Sequence, residues 1–426
     1  MRVLIINTSE KVGGAAVASH RLMAALNNHG VKAKMLVRDK QTNNISVVKL
    51  PYPLRSKWNF LWERLCIFIR LHFSKKGLFD IDIANTGCDV TTLKEFQEAD
   101  IIHLEWINQG MLSLKNIQKI LKSGKPVVWT MHDLWPATAI CHYARGCISF
   151  KTHCHQCKLL PNYGLKEDFS ERIWKKKERV YQTAKLHFVC CSEWLGGQAK
   201  QSGLLKNHEI TCIPNPIDTH IFRKLPKDEV KKQLGLPLNK QVLLFVSQKI
   251  TNERKGVHFL INAIKTLVAQ QPQLKERLVV ALLGGSADAV ANELPLDVYP
   301  LGYVSQENML VNIYNCADVF VIPSLEDNLP NTIMEAMACG VPCVGFRVGG
   351  IPEMINHQQN GYVANFKDIN DLAKGIKWVI EHPHKEELSA QALAKVAQNY
   401  SQQAVASRYI EVYNHALTRK IYRLFH

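Results

Sequence analysis

The sequence predicts an α/β fold made of two doubly wound domains, each with a parallel sheet between helices. Three observations support this prediction. Short apolar runs of strand length alternate with segments of helical periodicity along the 426 residues. The alternation occurs in the first half of the chain and again in the second, and strands that alternate with helices form parallel sheets covered on both faces. A chain of this length is also sufficient for two domains with full cores.

Five apolar runs in the first half have the length of a buried strand. They cover residues 3–7, 31–37, 100–104, 126–130 and 186–191. Helical periodicity over residues 17–26 follows Gly13 and Gly14, which come shortly after the first run. Two glycines at such a turn let a ligand approach the backbone at a helix N-terminus, where N–H groups favour an anion. A tight turn without a ligand is the alternative, because the sequence has no complete G-x-G-x-x-G here.

The second half repeats the arrangement. Its strand-like runs cover residues 241–247, 278–284, 319–323 and 342–346, and its helical segments cover residues 257–268 and 331–339. Gly340 follows the last of these helices as a left-handed stop.

The domain limits follow from a polar stretch at residues 204–209 and the IPNPID sequence of residues 213–218. We predict an N-terminal Rossmann-like domain over residues 1–204 and a C-terminal one over residues 205–395. A helix over residues 396–426 is expected to pack back on the N-terminal domain. Two such domains in tandem place a ligand in the cleft at the carboxyl ends of their strands.

Positive charge is concentrated in the first half of the chain. The whole chain carries +16, of which residues 1–200 account for +14. An anionic partner is therefore expected for the first half alone, and nucleic acid and an anionic membrane surface are the candidates. Residues 55–76 mix five Trp and Phe side chains with six Lys and Arg. This pattern fits a basic amphipathic helix in a membrane interface, or a core-facing helix with a charged outer face, and we expect peripheral membrane contact and no nucleic acid.

The N-terminal segment and the rest of the chain indicate a cytoplasmic protein. The first apolar run is too short for a signal peptide, and no segment reaches the ~18 uncharged apolar residues of a transmembrane helix. A position on the inner face of the cytoplasmic membrane follows from the membrane contact proposed for the basic half.

Three cations lie in the loop after the first strand of the second domain. Lys249, Arg254 and Lys255 are expected to face the cleft, where they would hold a diphosphate and stabilise it as it leaves. A solvated charged loop is the alternative.

Carboxylates flank a second loop of the same domain, after the strand at residues 319–323. Glu326 and Asp327 precede Pro330, which is tolerated in the first turn of a helix, and Glu335 lies about one turn into that helix. The first-turn N–H groups of Asn331 and Thr332 suit a phosphate. Acids on either side of an anion site would accept hydrogen bonds from the hydroxyls of a nucleotide sugar. The alternative is acids that only complement the helix dipole.

Four cysteines lie within 17 residues: Cys141, Cys147, Cys154 and Cys157. Cytoplasmic thiols stay reduced, so the cluster indicates a structural zinc ion more than disulfides. The two-residue spacing of the last pair is usual for zinc and the five-residue spacing of the first pair is looser. Free thiols in a polar loop are the alternative.

Several short motifs occur in a fixed order along nearly the whole chain, and as a set they are highly specific. They are Gly13-Gly14, IPNPID (213–218) with Phe222, Lys255-Gly256, GYV (302–304), Pro323-Ser324, Asp327 with Glu335, AMACGVP (336–342), VGGIPE (348–353) and NGY (360–362). This order resembles glycosyltransferase family 4, retaining enzymes of the GT-B fold in which two Rossmann-like domains face each other across a cleft.

The resemblance implies roles for the residues that match. Glu335 would hold the ribose hydroxyls and Asp327 the transferred sugar, while the backbone of Asn331 and Thr332 would meet the diphosphate. Lys255 and Gly14 would share that diphosphate contact. The other residues of the predicted donor site are Gly13, Arg254, Glu326, Asn328 and Leu329.

The chain departs from the family pattern at two of these positions. The family's acid at the Asp327 position is usually glutamate, so a shorter arm reaches the sugar here and Glu326 is the alternative. Lys249 stands where the family usually has arginine. Lysine keeps the positive charge but lacks the guanidinium group, which can donate two parallel hydrogen bonds to one anion.

His132 closes a strand of the first domain. In similar enzymes a histidine after this strand lies beside the donor sugar, so we predict a catalytic role for His132, alongside Lys249, Lys255 and Asp327. The adjacent Asp133 is predicted to lie on the acceptor side.

The resemblance, together with these patterns, implies a retaining hexosyltransferase. It would use a UDP- or GDP-sugar and a glycan acceptor, expected to be lipid-linked, in bacterial surface polysaccharide biosynthesis, including lipopolysaccharide. No cofactor is expected to be required for catalysis. An epimerase or phosphorylase of the same fold and a basic nucleic-acid-binding protein are the alternatives. Asp80 and Asp82 form the D-x-D pattern of metal-dependent transferases, but an edge strand over residues 79–84 explains it adequately.

Overall fold

The computed structural model describes residues 1–161 and 168–425, with side chains described as far as residue 419. It contains two compact units. Unit 1 comprises Met1–Pro216 and the chain from Val405 onward, and unit 2 comprises Ile217–Ala404. The limits predicted from the sequence were residues 204 and 395. Each unit contains one parallel sheet with helices, which confirms the predicted α/β fold class.

Unit 1 is built on a seven-stranded sheet in the order β3-β2-β1-β4-β5-β6-β7, with every neighbouring pair parallel. The strands are β1 (Arg2–Ser9), β2 (Lys32–Asp39), β3 (Val47–Lys49), β4 (Ile101–Leu104), β5 (Val127–Met131), β6 (His187–Cys190) and β7 (Glu209–Cys212). The helices of its N-terminal part are α1 (Gly14–Asn28), α2 (Pro53–Arg70), α3 (Lys94–Glu98), α4 (Leu114–Lys122), α5 (Phe169–Tyr181) and α6 (Glu193–Gln201). Single 3₁₀ turns cover Trp135–Ala137 and Ser149–Lys151.

Unit 2 is built on a six-stranded sheet in the order β10-β9-β8-β11-β12-β13, again all parallel. Its strands are β8 (Gln241–Lys249), β9 (Leu278–Gly285), β10 (Val298–Gly302), β11 (Val319–Ile322), β12 (Cys343–Phe346) and β13 (Gly361–Ala364). Its helices are α7 (Lys227–Gln233), α8 (Val257–Gln270), α9 (Leu274–Arg277), α10 (Asp288–Ala291), α11 (Glu307–Cys316), α12 (Asn331–Ala338), α13 (Ile351–Met354), α14 (Ile369–Ile380) and α15 (Lys385–Asn399). A 3₁₀ turn covers Glu253–Lys255.

The last helix, α16 (Gln402–Phe425), completes the core of unit 1. Its residues Val405, Tyr409 and Tyr413 pack on one face of the sheet in a cluster with strand residues such as Val128 and Val189. Alternate strand residues point to the opposite face, where a second and larger core contains Trp129 and Phe188 among others.

Polar side chains anchor α16 to this face as well. The hydroxyl of Tyr413 lies 2.7 Å from Nδ1 of the buried His103, and the hydroxyl of Tyr409 lies 2.9 Å from Oγ1 of Thr130. Each buried hydroxyl therefore has a hydrogen-bond partner on the sheet, as buried tyrosines require.

One local expectation is wrong. Residues 79–84 do not form an edge strand, since Ile81 makes a single antiparallel bridge with Cys141. The two acids of the D-x-D pattern have different surroundings. Asp82 is buried and pairs with Arg64, whereas Asp80 is partly exposed and pairs with Arg145 at 2.9 Å.

Candidate functional site

The strand order of unit 2 reverses between β8 and β11. From β8 the chain runs outward through β9 and β10, then returns to the other side of β8 for β11, β12 and β13. Ligands of doubly wound folds bind at the carboxyl ends of strands at such a switch point. The loops after β8 and β11, residues 250–256 and 323–330, therefore form the candidate donor site.

An ion pair joins these two loops. Nζ of Lys255 lies 2.5 Å from Oδ2 of Asp327, and Oγ of Ser324 donates to the same oxygen at 3.2 Å. Burial raises the pKa of Asp327, but the charges of Lys255 and Arg254 and these hydrogen bonds outweigh burial and hold it below its ordinary value. Asp327 is therefore ionised at neutral pH.

Arg254 makes a second set of contacts between the loops. Its Nη1 donates to the carbonyl of Glu326 at 2.6 Å and lies 3.7 Å from Oδ2 of Asp327. Its own carbonyl accepts from the N–H of Leu325 at 2.8 Å. Gly256 permits this close approach, since its φ is +69° and a Cβ there would clash with the carbonyl of Pro323.

The third predicted cation of the loop is placed differently. Lys249 is the exposed last residue of β8, and its carbonyl accepts a hydrogen bond from Oγ of Ser247 at 2.8 Å. The structure thus brings Arg254 and Lys255 to Asp327, while the role predicted for Lys249 stays a prediction.

Helix α12 begins directly after the acidic loop. Pro330 is its N-cap, and proline has no side-chain oxygen that could cap the helix. Asn331 and Thr332 are half-buried in the first turn, and the phosphate contact predicted for them stays a prediction.

The loop after β12 contacts the backbone of the acidic loop, residues 323–330. The N–H of Gly350 donates to the carbonyl of Asn328 at 2.8 Å, and Gly349 lies so close that a Cβ would clash with the carbonyl of Asp327. Asn328 and Leu329 are buried. The acidic loop is consequently fixed by backbone contacts on both sides.

Glu335 is buried in α12, and its Oε2 accepts a hydrogen bond from the hydroxyl of Tyr314 at 2.7 Å. Tyr314 belongs to α11 and was not predicted as a site residue. Nothing in its sequence position distinguishes it from a core aromatic residue, so only the structure could identify it.

Unit 1 has a corresponding switch point, between β1 and β4. Gly13 follows β1 as the N-cap of α1 with φ +93°, and Gly14 is the first helical residue. Gly13 has no side chain that could cap α1, and the start of this helix lies at the carboxyl edge of a parallel sheet.

His132 comes directly after β5 and is held by Glu105, which comes directly after the neighbouring β4. The His132 Nε2 to Glu105 Oε2 distance is 2.6 Å, and His132 Nδ1 lies 3.5 Å from Sγ of Cys191. Burial lowers the pKa of His132, but Cys191 and Glu105 outweigh it and raise the pKa well above its ordinary value. Glu105 was missed by sequence reasoning, although an acid directly after a strand that neighbours the His132 strand was a usable signal.

Asp133 lies in a buried polar network. It accepts hydrogen bonds from Nε1 of Trp106 at 2.9 Å and from the N–H of Trp135 at 2.8 Å, and its Oδ2 lies 2.8 Å from Nδ1 of His142. The other ring nitrogen of His142 lies 2.7 Å from Oδ2 of Asp82. These contacts orient His142 and Trp106, so the described geometry gives Asp133 a positioning role.

The four clustered cysteines line one cavity of about 320 Å³ in unit 1. Burial raises the pKa of the Cys141 and Cys154 thiols to about 12. Thiolate donors suit zinc, but among the described residues the donor groups within 4.8 Å of one another belong to a different set, His187, Glu209 and His415. Zinc at the four cysteines would therefore need these thiols to draw together.

Two protein families have models that match this chain. Residues 12–221 match the model described as Glycosyltransferase Family 4, and residues 240–382 match the model described as Glycosyl transferases group 1.

Curated relatives match over about half of the chain. The D-inositol 3-phosphate glycosyltransferase of Thermobispora bispora is 28% identical over 221 residues, which are 49% of this chain and 51% of the relative. The N-acetyl-alpha-D-glucosaminyl L-malate synthase of Bacillus anthracis is 25% identical over 213 residues, 49% of this chain and 54% of the relative. The chain thus spans about half the length of the curated relatives it matches.

Solved structures match over nearly the whole chain. Sucrose-phosphate synthase from Thermosynechococcus elongatus has a TM-score of 0.68 at 18% identity, covering 98% of this chain and 100% of that one. Anabaena HepE in complex with UDP-glucose has a TM-score of 0.62 at 18% identity, covering 97% and 100%. At these identities the likeness shows the fold alone.

Proposed function

The chain belongs to glycosyltransferase family 4, and from this premise we propose that it is a retaining hexosyltransferase. The donor is a UDP- or GDP-sugar, and the acceptor is a glycan carried on a lipid diphosphate in bacterial surface polysaccharide biosynthesis. The observation that carries the proposal is the contact of Lys255 and Arg254 with Asp327 at the switch point of unit 2. The solved complex of Anabaena HepE with UDP-glucose supports this class of donor.

The donor would lie along the start of α12. The diphosphate would be held by the first-turn N–H groups of Asn331 and Thr332 and by Lys255, with Asp327 on the sugar side. Glu335, oriented by Tyr314, would accept hydrogen bonds from the ribose hydroxyls. A carboxylate that a neighbouring side chain fixes in place binds hydroxyls with less loss of entropy than a mobile one.

The leaving diphosphate acquires negative charge as the glycosidic bond breaks. Lys255, Arg254 and the helix N–H groups would offset that charge, so the proposed reaction requires no cofactor. In unit 1, His132 would meet the substrate as an imidazolium, because Glu105 and Cys191 raise its pKa.

The surface of unit 1 supports an acceptor in a membrane. Helix α2 buries Ser56, Asn59, Glu63, Arg64 and Ile67, which is a largely polar face. Its exposed large apolar side chains are Leu54, Trp58, Leu61, Trp62, Leu65 and Ile69, and the first two are 84% and 65% exposed. A surface helix normally does the reverse, so this distribution supports a membrane-interface helix over a core-facing helix with a charged outer face.

Exposed cations surround this apolar face, namely Arg55, Lys57, Arg70, Lys75 and Lys76. Apolar and aromatic side chains flanked by cations bind the interface of an anionic membrane. No helix in the described part of the chain is long and apolar enough to span a membrane. We therefore propose that α2 lies in the surface of an anionic bilayer.

A cationic cavity adjoins the start of α2. It has a volume of about 390 Å³ and is lined by Arg38, Lys40, Lys49 and Lys57, together with Asp39, Pro53, Ser56 and Phe60. Arg38 is partly neutralised by Asp39 at 2.7 Å, but the set retains a positive excess. Such a cavity suits the diphosphate of a lipid-linked acceptor.

The cysteine cluster is proposed as a structural zinc site. Its four thiols line a single cavity and offer a donor set typical of structural zinc. Zinc content of the purified protein and of Cys154→Ser tests this independently of transfer.

A donor screen tests the proposed function. UDP- and GDP-sugars are added to the full chain, and thermal stabilisation and slow sugar release are measured. Stabilisation by one nucleotide sugar, abolished in Glu335→Ala but kept in Lys232→Ala on the exposed side of α7, supports the donor site. Epimerised sugar or dependence on inorganic phosphate would instead identify an epimerase or a phosphorylase.

A further inference from the structure

Three potential metal ligands meet at the amino ends of β6 and β7, at the edge of the sheet opposite to His132. His187 is the first residue of β6, Glu209 is the first residue of β7, and His415 lies on α16. Nδ1 of His187 lies 3.3 Å from Oε2 of Glu209, and Nδ1 of His415 lies 3.7 Å from the same oxygen. One ligand atom from each residue lies within 4.8 Å of the other two.

These separations fit a single bound ion. Ligands about 2.0–2.1 Å from a tetrahedral zinc ion lie about 3.3 Å from one another. The observed distances of 3.3 and 3.7 Å between His187, Glu209 and His415 are close to that value. The ligand atoms of His187 and His415 lie within 4.8 Å of each other, so these two side chains would have to move closer by up to about 1.5 Å to coordinate one ion.

The outer contacts aim the ligand atoms at one point. Nε2 of His187 lies 2.8 Å from Oγ1 of Thr211. When the imidazole carries its hydrogen on Nε2 and donates it to Thr211, Nδ1 presents a lone pair to a metal. Oε1 of Glu209 is occupied by Nη1 of Arg419 at 2.7 Å, with Lys185 at 3.9 Å. The opposite carboxylate oxygen, Oε2, faces the two imidazoles.

Two of the ligand atoms are otherwise unsatisfied. Nδ1 of His187 and Oε2 of Glu209 are both buried and have no hydrogen-bond partner in the described structure. Buried polar atoms are normally paired, so an unpaired nitrogen and an unpaired oxygen 3.3 Å apart indicate a missing third group.

We propose that His187, Glu209 and His415 bind a zinc-type divalent transition-metal ion. Two imidazoles and one carboxylate are a usual zinc donor set, and water would supply the fourth ligand. The ion would link α16 to the sheet of unit 1, so its effect is on stability. Two imidazole donors favour zinc-type ions over Mg²⁺ or Ca²⁺, which prefer oxygen ligands.

The test uses tag-free full-length protein stripped with a chelator and titrated with Zn²⁺. His415→Ala is the main variant, because His415 is 54% exposed and its removal leaves little packing to lose. It should bind one fewer zinc equivalent and lose zinc-dependent thermal stabilisation. Thr211→Val, which removes only the outer contact to His187, should weaken zinc binding about tenfold. His220→Ala, at an exposed histidine of unit 2, is the matched control and should bind as the parent does.

Cobalt substitution separates this site from the cysteine cluster. Thiolate-to-cobalt charge-transfer absorption reports the cysteines alone, and it should be unchanged in His415→Ala. Equal zinc stoichiometry and affinity in the parent and His415→Ala would overturn the proposal. Selective loss of a cobalt spectrum without thiolate character would support it, whether or not the protein transfers sugar.

Discussion

Lys255 Nζ lies 2.5 Å from Asp327 Oδ2, so an ion pair ties together the two loops at which the strand order of unit 2 reverses. The pair brings a group suited to phosphate into direct contact with a group suited to sugar hydroxyls. Two substitutions at this contact distinguish their roles.

Lys255→Ala should reduce kcat/KM for the nucleotide sugar by about 100-fold, because it removes a cation that offsets charge on the leaving diphosphate. It should also lower the free energy of unfolding by about 2 kcal/mol, between the values for exposed and fully buried ion pairs. Steady-state kinetics and urea unfolding measure the two effects. Lys232→Ala is the control, and equal kinetics in both variants would remove Lys255 from the site.

Asp327→Asn should weaken binding of the nucleotide sugar about tenfold while leaving the affinity for the free nucleotide diphosphate nearly unchanged. The expected factor is that of one hydrogen bond to a charged group. Calorimetric titration with both ligands measures the difference. Glu326→Gln is the matched comparison, and the opposite pattern, with the loss in Glu326→Gln alone, would assign the sugar contact to Glu326.

His142 should make the stability of the protein fall at high pH. Burial lowers its pKa, but Asp133 and Asp82 outweigh burial and raise it from 6.5 to about 10. A pKa raised by folding adds stability that is fully present below pH 6.5 and is lost as the pH rises through about 10. Urea unfolding across this range should show the advantage of the parent over His142→Gln shrinking with pH. A constant difference would contradict the charged state assigned to His142.

Replacing both Trp58 and Trp62 by serine should lower binding to phosphatidylglycerol-containing vesicles at least about tenfold, since each exposed tryptophan loses its apolar transfer free energy. Vesicle sedimentation measures the binding. Ile45→Ser, at a side chain that is 93% exposed outside α2, should have no effect. Equal loss in both variants, or none in either, would contradict a membrane-binding role for α2.

The sequence predicted the central strands well and missed the edges. The strands that it did not predict are β3, β7, β10 and β13, which lie at the four edges of the two sheets. Edge strands are paired on one side only and need no continuous apolar run, so β7 can read E-I-T-C and β10 can contain Pro300. The buried central strands require such runs, and these are visible in the sequence.

The residues of the candidate site also fall into those that the sequence predicted and those that it did not. Arg254, Lys255 and Asp327 could be predicted because each lies in a loop directly after a recognisable strand. Glu105 also lies directly after a recognisable strand and was overlooked. Tyr314 and the proposed metal ligands are instead brought to their partners by tertiary packing, often across long sequence separations. His103 and Tyr413, for example, are hydrogen-bond neighbours 310 residues apart. No local pattern carries that information.

The position of α16 has a consequence for synthesis of the chain. Tyr409 and Tyr413 cover a face of the sheet of unit 1, yet they follow all of unit 2 in the chain. On the ribosome, unit 2 can therefore complete its core first, while the sheet of unit 1 keeps an apolar face uncovered until α16 emerges. During that interval unit 1, most of which is synthesised first, is the part of the protein that is exposed to aggregation through its uncovered apolar face.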